Sequence, residues 1–187
     1  GFFLFLITKL IESNQVLCEH MLIEKMLFGN YKDFLDEKVL INKIGDKAYV
    51  HCPRNVWTGY DKIKSHFSNK HMEKMSVELK GVDLASNLIH FVALADFLIN
   101  LKGSPKQVIS DLTWKDSARR FNVLECSGTI SLKFDNFELM LQASEFTQSN
   151  ERVTCLISGY LSDGSTWSFD EEEERLILDG LESRSTP

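Results

Sequence analysis

The fold depends on how one apolar stretch is interpreted, Leu88-Ile-His-Phe-Val-Ala-Leu-Ala-Asp-Phe-Leu-Ile-Asn-Leu101. As a strand, its odd-numbered positions are all apolar, and His90, Asp96 and Asn100 lie on the opposite face. As a helix, it is apolar nearly all round and would be deeply buried. Periodicity alone does not separate the two. Because the polar residues share one parity, we predict a strand.

The sequence that follows predicts antiparallel strands. Three segments have the composition and alternation of strands: residues 122–134, 137–146 and 152–161. The short connections at Asp135-Asn136 and Gln148-Ser149-Asn150 indicate that consecutive strands pair antiparallel. We therefore expect Leu124, Ile130 and Leu132 in or near the core.

The sequence before the apolar stretch contains helical and hairpin patterns. Residues 2–28 carry an apolar stripe with three-to-four spacing, which predicts a helix. Residues 38–44 and 47–52 flank the turn Gly45-Asp46 and predict a hairpin, because glycine supplies the positive φ of such a turn.

The spacing of Thr58 and Asp61 is that of a capping box, and it predicts a helix from Thr58 to about Met72 or Met75. Helices followed by a strand-rich region are typical of the α+β class. We predict an α+β fold with N-terminal helices packed on a curved, mostly antiparallel β-sheet. One domain is expected over residues 1–181, in which 1–29 are a helical segment and 38–181 the strand-rich body. A disordered tail is expected at 182–187.

A family resemblance rests on three segments: Gly29-Asn-Tyr-Lys-Asp-Phe-Leu35, Val39 to Ile44, and Trp57-Thr-Gly59-Tyr-Asp-Lys-Ile63-Lys-Ser-His-Phe67. In these the chain resembles the nuclear transport factor two-like superfamily, which includes polyketide-cyclase-like domains. The resemblance covers residues 15–161 and implies a cone-shaped sheet of four long strands. It also implies that Asp96 matches the carboxylate that some members use as a base. The insertion at 103–120 and the segment after 162 depart from the pattern.

Composition excludes several classes of protein. A net charge of −6 and a pI near 5.4 argue against a nucleic-acid binder, because such proteins concentrate Lys and Arg. The initial apolar run is shorter than the roughly 20 residues of a membrane span. The four cysteines are widely spaced, which indicates free thiols in a reducing compartment. An intracellular protein, cytoplasmic or nuclear, is expected.

The candidate metal ligands are Cys52, His66 and His71. The two histidines have a spacing allowed in a Cys2His2 zinc finger. Cys52, however, has no second cysteine two to four residues away, and residues five apart on a helix point about 140° apart. We expect no metal at these residues, and no cofactor is predicted for the chain.

Asp96 is the candidate catalytic residue. An ionised carboxylate is costly to bury among apolar residues, so such a group is paired, protonated or facing a cavity. We expect either a structural carboxylate or an acid/base group at Asp96. No dinucleotide fingerprint, P-loop, nucleophile elbow or metalloprotease motif accompanies it.

These observations predict a non-catalytic protein–protein interaction or dimerisation module. One alternative is a small-ligand-binding or isomerase-type enzyme with a cavity over Asp96. The other is a degenerate zinc-finger-like module that binds nucleic acid. A flat apolar face would favour the first function, and a solvent-connected pocket the second.

The candidate partner-binding residues are Phe2, Phe3, Phe5 and Leu6. As a helix, these positions spread around the whole circumference, so one face does not hide them all. We expect this segment to meet another element of the chain, a protein partner or a second copy.

Replacing Phe3 and Leu6 by Lys should lower the associated mass of the protein without unfolding its strand-rich part, because apolar patches are rarely left open on a monomer. Light scattering at micromolar concentration checks this. A monomeric mass for the unmodified chain without a partner would contradict it.

Overall fold

The computed structural model describes residues 21–24, 48–51, 53–116, 124–144 and 152–184. The chain divides into two compact units, residues 1–52 and 53–187. In the first unit, β1 (Met21–Glu24) pairs in parallel with β2 (Ala48–His51). The predicted helix over 2–28 is therefore wrong at Met21–Glu24. The first arm and turn of the predicted hairpin lie outside the described residues, as does the proposed packing of N-terminal helices.

The second unit is a mixed α+β arrangement of two helices and a mostly antiparallel open sheet. A 3-10 turn (Pro53–Val56) precedes α1 (Thr58–His66), and α2 spans Leu84–Ile99. The strands are β3 (Met72–Lys80), β4 (Gln107–Asp116), β5 (Leu124–Lys133), β6 (Glu138–Ser144), β7 (Thr154–Leu161), β8 (Thr166–Asp170), β9 (Arg175–Leu178) and β10 (Leu181–Arg184). Residues 182–184, expected in a disordered tail, belong to β10. Neither helix is long and apolar enough to cross a membrane.

The sheet order is β10-β9-β8-β7-β3-β6-β5-β4. The inner strand β3 pairs in parallel with β6 and antiparallel with β7, and the other pairs are antiparallel. The three strands predicted over 122–161 are confirmed, but the predicted pairing of β6 with β7 is wrong. Consecutive strands are neighbours only about two-thirds of the time, and here β3 lies between them.

The apolar stretch is a helix, so the predicted strand is wrong. The buried residues Leu84, Phe91, Leu94 and Ala95 recur at helical spacing. The side chain of Asp83 accepts a hydrogen bond from the amide of Ser86 at 2.8 Å, which satisfies one of the free amides of the first turn. His90, Asp96 and Asn100 all have even numbers, but this does not require a strand, because separations of six and four residues are equally possible on a helix.

The core lies on the face of the sheet that α2 covers. Met75, Val77 and Leu79 of β3 are buried there, and the intervening residues of the strand face the other side. Ile130 and Leu132 are buried, as predicted. Leu124 is 58% exposed, so its predicted core position is wrong; it lies at the start of β5, opposite the end of β4.

Helix α1 begins at Thr58 as predicted, but the predicted capping box is wrong. The N-cap residue is Trp57 rather than Thr58, and the Trp57 side chain makes no capping hydrogen bond. The helix ends at His66 rather than near Met72. Phe67 is its C-cap, whose amide still donates to the backbone oxygen of Ile63, and the chain enters β3 at Met72.

A close approach joins β7 and β8. Gly159 lies opposite Trp167 in the register of the two strands. A Cβ at position 159 would lie 2.0 Å from Nε1 of Trp167, which is 2% exposed. The indole therefore occupies the space that a side chain at this position would need.

Asp83 joins α2 to β5. Besides capping the helix, its carboxylate accepts a hydrogen bond from the amide of Cys126 at 2.7 Å. Burial acts to raise the pKa of Asp83, but the hydrogen bonds from Cys126 and Ser86 outweigh it and hold the pKa below its ordinary value. The carboxylate form is therefore the one that stabilises the fold.

Asp83→Ala should lower the free energy of unfolding by about 2–4 kcal/mol, because it removes a helix cap and leaves the buried Cys126 amide unpaired. The native carboxyl has the lower pKa, so its stabilisation is present above about pH 4 and is lost as the pH falls further. Denaturant unfolding across this pH range checks both statements. Asp96→Ala, on the exposed side of the same helix, is the control and should change stability by less than about 0.5 kcal/mol. Equal effects of the two substitutions would contradict the prediction.

Candidate functional site

A buried ion pair joins the start of the second unit to the turn after β8. The guanidinium of Arg54 donates to the Glu171 carboxylate at 2.6 Å from Nε and at 2.7 Å from the terminal nitrogen. The two side chains are 14% and 5% exposed. A bidentate pair of this geometry fixes both the distance and the orientation of the two segments.

Two further groups surround this carboxylate. The hydroxyl of Tyr60 donates to Glu171 at 2.5 Å, and the thiol of Cys155 lies 4.0 Å from the Arg54 guanidinium. Burial raises the pKa of Tyr60 well above its ordinary value, and the charge of Glu171 raises it further. The same two causes raise the pKa of Cys155. Both groups therefore stay protonated at neutral pH.

Arg54 keeps its charge. Burial acts to lower the pKa of the guanidinium, but the hydrogen bond and charge of Glu171 outweigh it and raise the pKa. The cation also lies 4.4 Å from the ring centroid of Phe91 and 5.9 Å from that of Trp57. Phe91 belongs to α2, so the pair contacts the helix directly through a cation–π interaction. The cluster holds segments in place and offers no group that readily exchanges a proton.

A polar stripe runs along one side of α2. Asn87 and His90 lie four and seven residues after Asp83, which places the three residues on the same side of the helix. The amide of Asn87 donates to the backbone oxygen of Asp83 at 2.8 Å and to the Ser86 hydroxyl at 3.3 Å. His90 is 6% exposed. It is the buried one of the three histidines whose side chains the structure describes, His66, His71 and His90.

The residues predicted to carry catalysis and metal binding do not come together. Asp96 is exposed on α2, so its carboxylate is not buried among the apolar residues that surround it in the sequence. Nε2 of His66 lies 3.3 Å from Asp179, whereas Nε2 of His71 lies 3.1 Å from the backbone oxygen of Asn136. Within the described ranges, no three metal-ligating side chains are grouped for an ion. Cys52 and the predicted partner segment (Phe2, Phe3, Phe5 and Leu6) lie outside those ranges.

Sequence reasoning missed the roles of Arg54 and Glu171. Glu171 is one of five consecutive acidic residues, Asp170 to Glu174, and a run of this type is ordinarily solvated. Its neighbour Asp170 instead accepts from the amides of Glu172 and Glu173, both at 3.1 Å. This turn aims Glu171 inward, and nothing in the local sequence distinguishes it. The helix role of Asp83 did have a signal, an acidic residue directly before an apolar run.

Comparison with known proteins relates the chain to dehydrogenase folds. The sequence matches no protein-family model and no curated protein sequence. Its structure is similar to UDP-N-acetylglucosamine 3-dehydrogenase from Acidithiobacillus ferrooxidans, with a TM-score of 0.71 and 14% identity over 96% of this chain and 59% of that one. A dehydrogenase from Clostridium difficile gives a TM-score of 0.64 and 18% identity over 95% and 57%.

A third similar structure is biliverdin reductase from Synechocystis, solved with biliverdin and NADP+. It gives a TM-score of 0.60 and 18% identity over 89% of this chain and 57% of that one. The chain spans about half the length of the structures that it matches. At these identities the likeness is one of fold alone.

These comparisons correct two predictions. The resemblance to the nuclear transport factor two-like superfamily is wrong, because the similar structures are oxidoreductases and the sheet is open, with a parallel pair at β3 and β6. Of the segments that carried the resemblance, the structure describes residues 57–67, where Gly59 lies in the first turn of α1. The predicted non-catalytic interaction module is also wrong, because its structural neighbours are enzymes.

Glu171→Gln should lower the free energy of unfolding by about 3 kcal/mol, because it leaves the buried Arg54 cation without a counter-charge. Glu172→Gln in the same turn is exposed and should change it by less than about 0.5 kcal/mol. The double variant Arg54→Met, Glu171→Leu should recover most of the loss, since no buried charge then remains unpaired. Calorimetric unfolding of the three proteins checks this. Equal stability of the two single variants would show that the pair does not hold the turn.

Proposed function

We propose that this chain contributes the sheet-bearing part of an oxidoreductase that interconverts an alcohol and a carbonyl group. The observation that carries the proposal is the likeness of fold to dehydrogenases and a reductase over nearly the whole chain. Fold alone does not specify a reaction. The proposal therefore also depends on which side chains could serve the chemistry.

The described residues do not fit a nicotinamide dinucleotide. Such a cofactor places its diphosphate at a free helix N-terminus behind a glycine-rich turn. The N-terminus of α2 already holds the Asp83 carboxylate. The N-terminus of α1 carries the acidic residue Asp61 in its first turn. The space beside Gly59 in the same turn is filled by the Phe169 ring, which lies 2.8 Å from where a Cβ would be. We assign the cofactor to none of these residues and derive no step through it.

The described part of the chain does offer a group that can move a proton. Oxidation of an alcohol releases the hydroxyl proton, and reduction of a carbonyl requires one. The imidazole of a histidine can either accept or donate a proton, whereas Tyr60 and Cys155 of the ion-pair cluster stay protonated. His90 lies on the polar stripe of α2, two turns after the Asp83 cap. We assign it the role of general acid or base for the substrate oxygen.

The cysteines support an intracellular location. Cys126 and Cys155 are buried free thiols. Burial raises the pKa of both, which keeps them unreactive. Unpaired thiols of this kind are typical of a reducing compartment.

His90→Asn should lower kcat by roughly 10²- to 10⁴-fold with little change in KM, because it removes proton transfer while leaving a side chain of similar size. The assay measures the change in absorbance of added nicotinamide cofactor during turnover by the full-length protein, with a panel of sugar nucleotides and simple ketones as substrates. His66→Asn is the control, since His66 is exposed, and it should retain full activity. Unfolding temperatures of both variants establish that the fold is kept. Turnover by His90→Asn equal to that of the control would remove His90 from the chemistry. A lack of nicotinamide-dependent turnover with the whole panel would contradict the proposed function itself.

A further inference from the structure

The face of the sheet opposite α2 contains a cavity of about 390 Å³ between β3 and β9. Three of its lining residues, Ser76, Ser158 and Ser168, lie directly opposite one another on adjacent strands. The Cα atoms of paired residues on neighbouring strands are about 4.5–5.5 Å apart, so the three serines lie side by side in a row across the strands. All three serines are half-buried.

These hydroxyls differ from others on the same face. Ser131 donates to the Glu138 carboxylate at 2.6 Å, and Ser144 to the backbone oxygen of Leu79 at 3.4 Å. None of the three cavity serines has its hydroxyl bonded to any described residue. A serine hydroxyl both donates and accepts. The row therefore presents unused hydrogen-bonding capacity to whatever fills the cavity.

Two larger side chains line the cavity beside the serines. Tyr160 is 47% exposed, so part of its ring remains available for stacking. The ammonium group of Lys74 lies 3.9 Å from Glu138, too far for a strong hydrogen bond. Asp179, which precedes the lining residue Gly180, has its carboxylate already bonded, since it accepts from the amide of Thr166 at 3.0 Å. Lys74 is thus a cation with capacity left for an anionic group.

We propose that this cavity binds a monosaccharide that carries a phosphate group. A sugar ring matches the serine row because its hydroxyls also both donate and accept. Its apolar face can stack on Tyr160, and the phosphate can pair with Lys74 as a charge-assisted contact. The volume lies at the lower end of the range for ligand pockets, about 300–1,000 Å³, which suits a single ring.

This site does not depend on the proposed oxidoreductase chemistry. Ser76 alternates along β3 with the core residues Met75 and Val77, so it faces away from α2 and His90. Binding at the cavity and proton transfer at His90 can therefore be tested separately.

The test titrates glucose 6-phosphate, glucose and inorganic phosphate separately into isotope-labelled protein, with amide chemical shifts and calorimetry as readouts. Glucose 6-phosphate should bind more tightly than either other probe and shift the amides of Ser76, Ser158 and Ser168. Lys74→Met should weaken its binding by about tenfold or more, and Ser158→Ala by about threefold. Lys80→Met is the matched control. Lys80 lies on the same strand and face outside the cavity, and this variant should bind within about twofold of the unmodified protein.

Four results would overturn the proposal. The first is a lack of saturable binding at millimolar glucose 6-phosphate. The second is equal affinity for inorganic phosphate alone. The third is an equal loss in Lys74→Met and Lys80→Met, which would indicate a general charge effect. The fourth is a set of shifts at the same amides that follows protein concentration without ligand, because a second copy of the chain would then cover this face.

Discussion

The position of β3 between β6 and β7 is the constraint on which the second unit depends. Both edges of this strand are hydrogen-bonded, one in parallel and one antiparallel. Its side chains therefore have only the two faces of the sheet available. Met75, Val77 and Leu79 face α2 and form the centre of the core, while Ser76 faces the other way. The alternation of side chains along β3 thus makes one face of the sheet apolar and the other polar at this point.

Buried carboxylates make the contacts between segments that are distant in the chain. Glu171 binds Arg54, and Asp83 binds the amide of Cys126. In a poorly solvated interior, a charge is stable only where several donors surround it, and such donors also determine its position. Glu171 has the Arg54 guanidinium and the Tyr60 hydroxyl, and Asp83 has two backbone amides. Each carboxylate consequently defines where one helix or turn lies relative to the sheet.

Local patterns in the sequence predicted much of the strand content. Alternation over 122–161 identified β5, β6 and β7, and the buried positions of Ile130 and Leu132 followed from it. Their spatial order did not follow, because the insertion of β3 is a non-local contact with no signature in either partner. The helix over Leu84–Ile99 was mistaken for a strand because it is buried on much of its surface, which weakens the amphipathic period.

The candidate site was less predictable than the fold. Sequence patterns draw attention to unusual residues, such as Asp96 in an apolar run, or His66 and His71 at a metal-like spacing. In the structure these side chains are exposed. The groups that are buried and charged, Arg54 and Glu171, are 117 residues apart and become partners only through folding. Pairing across such a distance has no local sequence signal, and it needs either a structure or correlated changes among related sequences.

The approach of Trp167 to Gly159 has a consequence for how this protein can diverge. The indole nitrogen lies where the first side-chain carbon of any residue other than glycine would be placed. Neither position can therefore change alone. Exchange of Gly159 would require Trp167 to become much smaller, and loss of Trp167 would leave a void above a bare backbone. In related sequences the two positions should covary, with glycine retained wherever the tryptophan is present.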